Sequence, residues 1–103
     1  MTGESGKGLV RYLATSMAGH DRGSVYAVVG EEENFLFLTD GVHHKLSKPK
    51  KKNRKHVQVI RHLSEAVRRE AKEAETDSQI IRLLREYALE MRGEADACQN
   101  LMS

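Results

Sequence analysis

The hydrophobic pattern of this chain changes period near His56, and that change divides what it can fold into. Before it, apolar residues gather in short runs: Leu9-Val10-Arg11-Tyr12-Leu13-Ala14, Val25-Tyr26-Ala27-Val28-Val29, Phe35-Leu36-Phe37-Leu38-Thr39, and a shorter return over Val42 to Leu46. Runs of this length, rich in β-branched and aromatic residues, read as strands. Turn signals separate them. Two glycines bracket polar residues in Ala18-Gly19-His20-Asp21-Arg22-Gly23-Ser24, Gly30-Glu31-Glu32-Glu33-Asn34 is a solvated turn, and Asp40-Gly41 suits the positive backbone dihedrals of a two-residue hairpin. Short strands with tight turns leave no room for the helical crossovers of a parallel sheet. The expectation is a small antiparallel barrel over residues 8–58, with Pro49 and the lysines after it as an exposed connector or rim.

After His56 the spacing is helical. Val57, Ile60, Leu63, Val67, Ala71 and Ala74 fall three or four apart, with Arg61, Arg68, Arg69, Glu70, Lys72 and Glu73 on the other face. Thr76-Asp77-Ser78-Gln79 has the form of a capping box, opening a second stripe of Ile80, Ile81, Leu84, Tyr87, Ala88 and Met91 that ends near Gly93. Two helices, or one long helix kinked at Thr76 to Ser78, fit residues 59–93. Residues 1–7 offer nothing to bury and read as a flexible leader, and residues 94–103 as a frayed tail. The class is α+β, a mainly β N-terminal barrel followed by C-terminal α-helices.

A chain of 103 residues supports one modest core and no large buried cleft. No apolar run is long enough to span a bilayer, and Met1 to Gly8 hold no hydrophobic stretch for a secretion signal, so a soluble cytoplasmic protein without membrane contact is expected. Cys98 is the only cysteine, which excludes an internal disulfide and leaves a passive thiol.

The formal net charge is +2, but its distribution is uneven. No acidic residue occurs between Asp40 and Glu65, where Lys45, Lys48, Lys50, Lys51, Lys52, Arg54, Lys55 and Arg61 stand. Within Lys48-Pro49-Lys50-Lys51-Lys52-Asn53-Arg54-Lys55 the charges are expected to face solvent or a polyanion. Each lysine that neutralises a phosphate releases counterion, so four to six contacts would give a log-log salt slope of about −3 to −5. A solvated loop that only aids solubility is the plainer reading, although such loops normally mix signs.

Other chemistries find little footing. His43 and His44 are adjacent on a strand and point apart, His56 and His62 do not share a helix face, and no carboxylate lies between Asp40 and Glu65 to complete a metal site. Gly3-Glu4-Ser5-Gly6-Lys7 lacks the earlier glycine, the Ser or Thr after the lysine, and the preceding strand of a nucleotide phosphate-binding loop. Ser16, Ser24, Ser47 and Cys98 have no base-orienting context, and Asp21 and Asp40 sit beside glycines as turn residues. No catalytic residue, cofactor, metal or small-molecule substrate is therefore expected. Phe35 and Phe37 are read as core; Tyr12 and Tyr26 are left open between core and base stacking.

The segment Ala18-Gly19-His20-Asp21-Arg22-Gly23, then Val25 to Val29, then Leu38-Thr39-Asp40-Gly41, and finally Lys48 through Gln58 resembles the bacterial KOW-domain RNA-binding proteins. These are similar to eukaryotic-type large-subunit ribosomal proteins of the L-fourteen-e, L-six-e and L-twenty-seven-e class. The resemblance spans about Leu13 to Gln58. It implies an SH3-like five-stranded barrel in which Gly23 is the motif's key glycine. The Gly19 to Gly23 loop and the Lys-Pro-Lys connector would face RNA, with His20, Arg22, Lys50 and Lys55 as contacts. His20 stands where the pattern more often has a fixed cation. The residues before the turn lack the usual glycine at the head of the first strand.

Together these readings give a non-enzymatic RNA binder, associated with ribosomal RNA or the ribosome in translation. Its RNA-binding residues are His20, Arg22, Lys45, Lys48, Lys50, Lys51, Lys52, Asn53, Arg54, Lys55 and His56, with Gly19, Gly23, Asp40 and Gly41 as structural turn residues. The rival reading is an SH3-like protein-interaction module that docks a protein partner through its barrel or the C-terminal helical stripe. The plainer account of that stripe is packing on the barrel or the first helix.

Overall fold

The structure is a computed structural model that describes residues 9–102, with side-chain surroundings for residues 9–92. The leader at residues 1–7 lies outside the described residues, as does the side chain of Cys98.

Five antiparallel strands, β1 (Tyr12–Ser16), β2 (Val25–Glu31), β3 (Phe35–Thr39), β4 (Lys50–Asn53) and β5 (Val57–Ile60), form one curled sheet in the order β4-β3-β2-β1-β5. A single 3-10 turn, Arg54–His56, joins β4 to β5. Helices α1 (Glu65–Glu73) and α2 (Asp77–Met102) follow, so the class is α+β.

Alternation along the strands gives the sheet two apolar faces. Leu13 and Ala27 face the helices and pack with Val67, Ala71, Ala74, Ile80 and Leu83. Ala14, Tyr26, Val28, Leu36 and Leu38 fill the concave side. A bulge between Val28 and Gly30 sharpens the bend of β2 and sets the phase of β3, pairing Val28 with Leu38 and Gly30 with Phe37. The expectation that Phe35 and Phe37 are core is thus corrected. Leu36 and Leu38 are buried, and the two phenylalanines lie half-buried on the opposite face, Phe37 covering Gly30.

The two ends of the curled sheet also differ from the sequence reading. Val42 to Leu46 form no strand. The Asp40 side chain captures the backbone N–H groups of Val42, His43 and His44 through Oδ1, each at 2.9 Å, and so builds an open loop in place of a two-residue hairpin. Gly41, at φ +80°, brings this loop against α2. Val57 to Ile60 are a strand, not the start of a helix. They pair with β1, Ser16 opposite Val57 and Leu13 opposite Ile60, which extends the curled sheet to Ile60. α1 begins only after Ser64, whose side chain caps the Val67 N–H at 3.1 Å.

The capping box forms as written. The Gln79 N–H donates to Thr76 Oγ1 at 3.2 Å and Gln79 Oε1 accepts from the Thr76 N–H at 3.1 Å, so the extension is two helices. α2 continues past Gly93 to Met102, through the stretch read as a tail. Its buried anchors are Ile80 and Leu83, with Leu84 and Tyr87 packed beside them, so the first half of the stripe covers the sheet.

Candidate nucleic-acid interface

Lysine is poor strand material, yet within the segment read as an exposed connector or rim, Lys50 to Asn53 pair with Leu38 to Phe35 as an edge strand. An edge tolerates lysines, which discourage pairing with a further chain. Cross-strand partners share a face, so Lys50 opposite Leu38 and Lys52 opposite Leu36 point into the concave side. There they meet Asp21.

Asp21 sits on the β1–β2 loop between Gly19 (φ +90°) and Gly23 (φ +92°), left-handed positions that suit glycine. Its carboxylate accepts from Lys50 Nζ at 2.7 Å, Tyr26 Oη at 2.8 Å and Lys52 Nζ at 3.0 Å, and Ser16 Oγ lies 2.9 Å away. Lys52 Nζ also donates to the Ala18 carbonyl at 2.8 Å. The side chains of Asp21, Lys52 and Lys50 are only 15%, 12% and 28% exposed. Burial alone would raise the Asp21 carboxyl. The donors around it, Lys50 foremost, outweigh burial and hold it far below the usual carboxylate range. Burial, and then the hydrogen bond to Asp21, push the Tyr26 hydroxyl well above its ordinary value.

The reading that all the segment's charges face outward is therefore corrected, because the local excess of positive charge is partly cancelled from distant elements. Lys50 and Lys52 fasten the β1–β2 loop to β4. Arg54 holds the β2–β3 turn, donating to the Glu31 carboxylate at 3.1 Å and to the Glu32 and Glu33 carbonyls. That guanidinium in turn lowers the Glu31 carboxyl. Lys51 lies on the outer face, 3.6 Å from Glu32 and with its ammonium 4.5 Å from the Phe35 ring centroid. Asn53 caps the 3-10 turn, accepting from the Lys55 N–H at 3.0 Å.

His20, Arg22, Lys45, Lys48, Lys55 and His56 remain exposed, and none forms an ion pair with a described carboxylate. They come from three loops that are tied together. The Met17 N–H donates to the His56 carbonyl at 2.7 Å, joining the β1–β2 loop to the 3-10 turn. Tyr26 meets His44 edge-on at 6.1 Å, bringing the β3–β4 loop alongside. Within that loop His43, Lys45, Lys48 and Pro49 line an open groove of about 530 Å³. Asp40, which shapes the loop, is held below its ordinary carboxylate range: burial would raise it, and the N–H groups of His44, Val42 and His43 prevail.

In the sequence Asp21 has the look of a turn residue alone. The available signal was a lone carboxylate in the loop, but its lysine partners stand 29 and 31 residues away. Among the described residues no group of three or more His, Cys, Asp or Glu side chains could hold a metal ion, and no helix is long and apolar enough to cross a membrane. No protein-family model matches the chain, and no curated protein matches it.

Proposed function

We propose that the protein is a non-enzymatic RNA-binding protein, associated with ribosomal RNA or the ribosome, that holds phosphates at one end of an SH3-like KOW barrel. The observation that supports this most is that Arg22, Lys45, Lys48 and Lys55, with His20 and His56, stand exposed on three linked loops where no described carboxylate pairs with them. The strand order, the 3-10 turn between the last two strands and the two left-handed glycines of the β1–β2 loop are consistent with the KOW reading. Affinity comes mainly from phosphates and selectivity from shape, because an A-form groove admits few side chains to base edges.

Within this reading Lys50 and Lys52 are positioning residues. Their Asp21 contacts fix the loop that carries His20 and Arg22, so replacing them tests stability before it tests binding. The discriminating variant is Arg22→Ala, Lys48→Ala and Lys55→Ala together. It should keep the wild-type melting curve and lose about tenfold or more RNA affinity at low salt in a filter assay. Unchanged affinity would remove this surface from the assignment. Migration of the native protein only at the top of a gradient would remove the ribosomal part.

A protein partner is the second reading, favoured by one observation. Leu89 and Met91 on α2 are 51% and 48% exposed beyond the part of the helix that covers the sheet. Salt-insensitive capture of a protein, abolished by Leu89→Ser, would support that reading over RNA.

A further inference from the structure

A second basic surface lies at the other end of β1, where the barrel meets α1. Arg11 precedes β1, Arg61 follows β5, and Arg68 and Lys72 stand on α1. All four are exposed, and all four line one open cleft of about 610 Å³ floored by Val10, Val59 and Ala71. No carboxylate lines the cleft among the described residues, although the chain carries 15 acidic side chains. Nor does any of the four cations form an ion pair with a described residue. Arg68 is steadied by donating to the Leu63 carbonyl at 3.3 Å.

Arg68 and Lys72 are four apart on one helix, a spacing at which like charges oppose helix formation. Four cations gathered from three separate stretches of chain repel one another, and an anion set among them relieves that repulsion. Three are guanidiniums, whose planar fork matches the paired oxygens of a phosphate, and the apolar floor accepts a sugar edge. The five residues of β1 set this cleft about 17 Å from the β1–β2 loop, a span that a few nucleotides cover.

We propose that this cleft is a second phosphodiester-binding site, which takes the backbone of the same RNA as it leaves the barrel end. The proposal rests on the RNA-binding reading and extends it to Arg11, Arg61, Arg68 and Lys72. The test compares the full-length wild type with Arg11→Ala/Arg61→Ala/Arg68→Ala and with Arg11→Lys/Arg61→Lys/Arg68→Lys. The probes are single-stranded RNAs of about 6 and about 20 nucleotides, titrated over a salt series.

For the longer RNA, the alanine variant should flatten the log-log salt slope by about 2. Its affinity should fall at least tenfold, with little change for the short RNA. The lysine variant should keep the slope. An unchanged slope and affinity for the long RNA, while Arg22→Ala/Lys48→Ala/Lys55→Ala still weakens it, would overturn the second site and leave the barrel-end reading standing. Unchanged binding by both alanine sets would defeat both. Loss of binding to phosphatidylglycerol vesicles with RNA binding intact would assign the cleft to a lipid surface and overturn the proposal.

Discussion

Replacing Asp21 with Asn removes the charge that two lysines share while keeping the side chain's size. Lys52, at 12% exposed, and Lys50, at 28%, are then left without an anion, and Tyr26 Oη loses a charged acceptor. Breaking a buried ion pair costs about 3–5 kcal/mol; partial exposure of these groups puts the cost at the low end, about 3 kcal/mol. In a domain of this size that lowers Tm by about 12 °C or more. Tyr26→Phe, which removes one hydrogen bond to the charged carboxylate and leaves the ions paired, should cost less, about 1.5 kcal/mol. The dependence on pH has a definite sign. The Asp21 carboxyl is depressed in the folded state, so its contribution is fully present above the unfolded value of about 3.9, declines as pH falls below it, and is lost only as pH passes through the far lower folded value. Urea melts at pH 7 and at pH 3 should show the difference between wild type and Asp21→Asn shrinking in acid. A difference under about 0.5 kcal/mol at pH 7 would refute the view that this carboxylate fastens the loop to β4.

The turn and cap positions give further tests. A Cβ on Gly41 would meet the Asp77 carbonyl oxygen at 2.6 Å and Ile81 Cγ1 at 2.8 Å, in a left-handed backbone; at Gly23 it would meet nothing within 4 Å. Gly41→Ala should therefore cost clearly more than Gly23→Ala, for which backbone strain alone amounts to about 1–2 kcal/mol, and equal urea midpoints would contradict this. Thr76→Ala should destabilise by about 1 kcal/mol through loss of the α2 cap, read as a lower Tm with unchanged helix content. Leu83→Ala, at a fully buried site between α2 and the sheet, should cost about 2–5 kcal/mol; a cost below 1 would show that α2 does not cover the sheet.

Local chemistry made β2, β3, the glycine-bounded loop and the Thr76 to Gln79 cap legible in the sequence, because each depends on neighbours within a few residues. Three features depended on remote partners. Val57 to Ile60 fit either period, and the free edge of β1 makes them a strand, while Ser64 was the available sign of where the helix starts. The alternation of Phe35 to Leu38 was evident but its phase was not, since the bulge in β2 sets which pair faces inward. The lysine run read as solvated because Asp21, Glu31 and Glu32, which meet it in space, stand well outside it in sequence. Of the candidate site, Arg22, Lys45, Lys48 and Lys55 are exposed, as a run of charges suggests, whereas Lys50, Lys52, Asn53 and Arg54 are occupied in holding loops.

The central claim is that exposed cations at the barrel end bind RNA through its phosphates. The most direct measurement is the affinity of the wild-type protein for single-stranded and duplex RNA from about 50 to 300 mM salt. Four barrel-end cations give a log-log slope of about −3, and engagement of the second cleft steepens it to about −5 or −6. A slope flatter than about −1, or no binding at 50 mM salt, would contradict the claim.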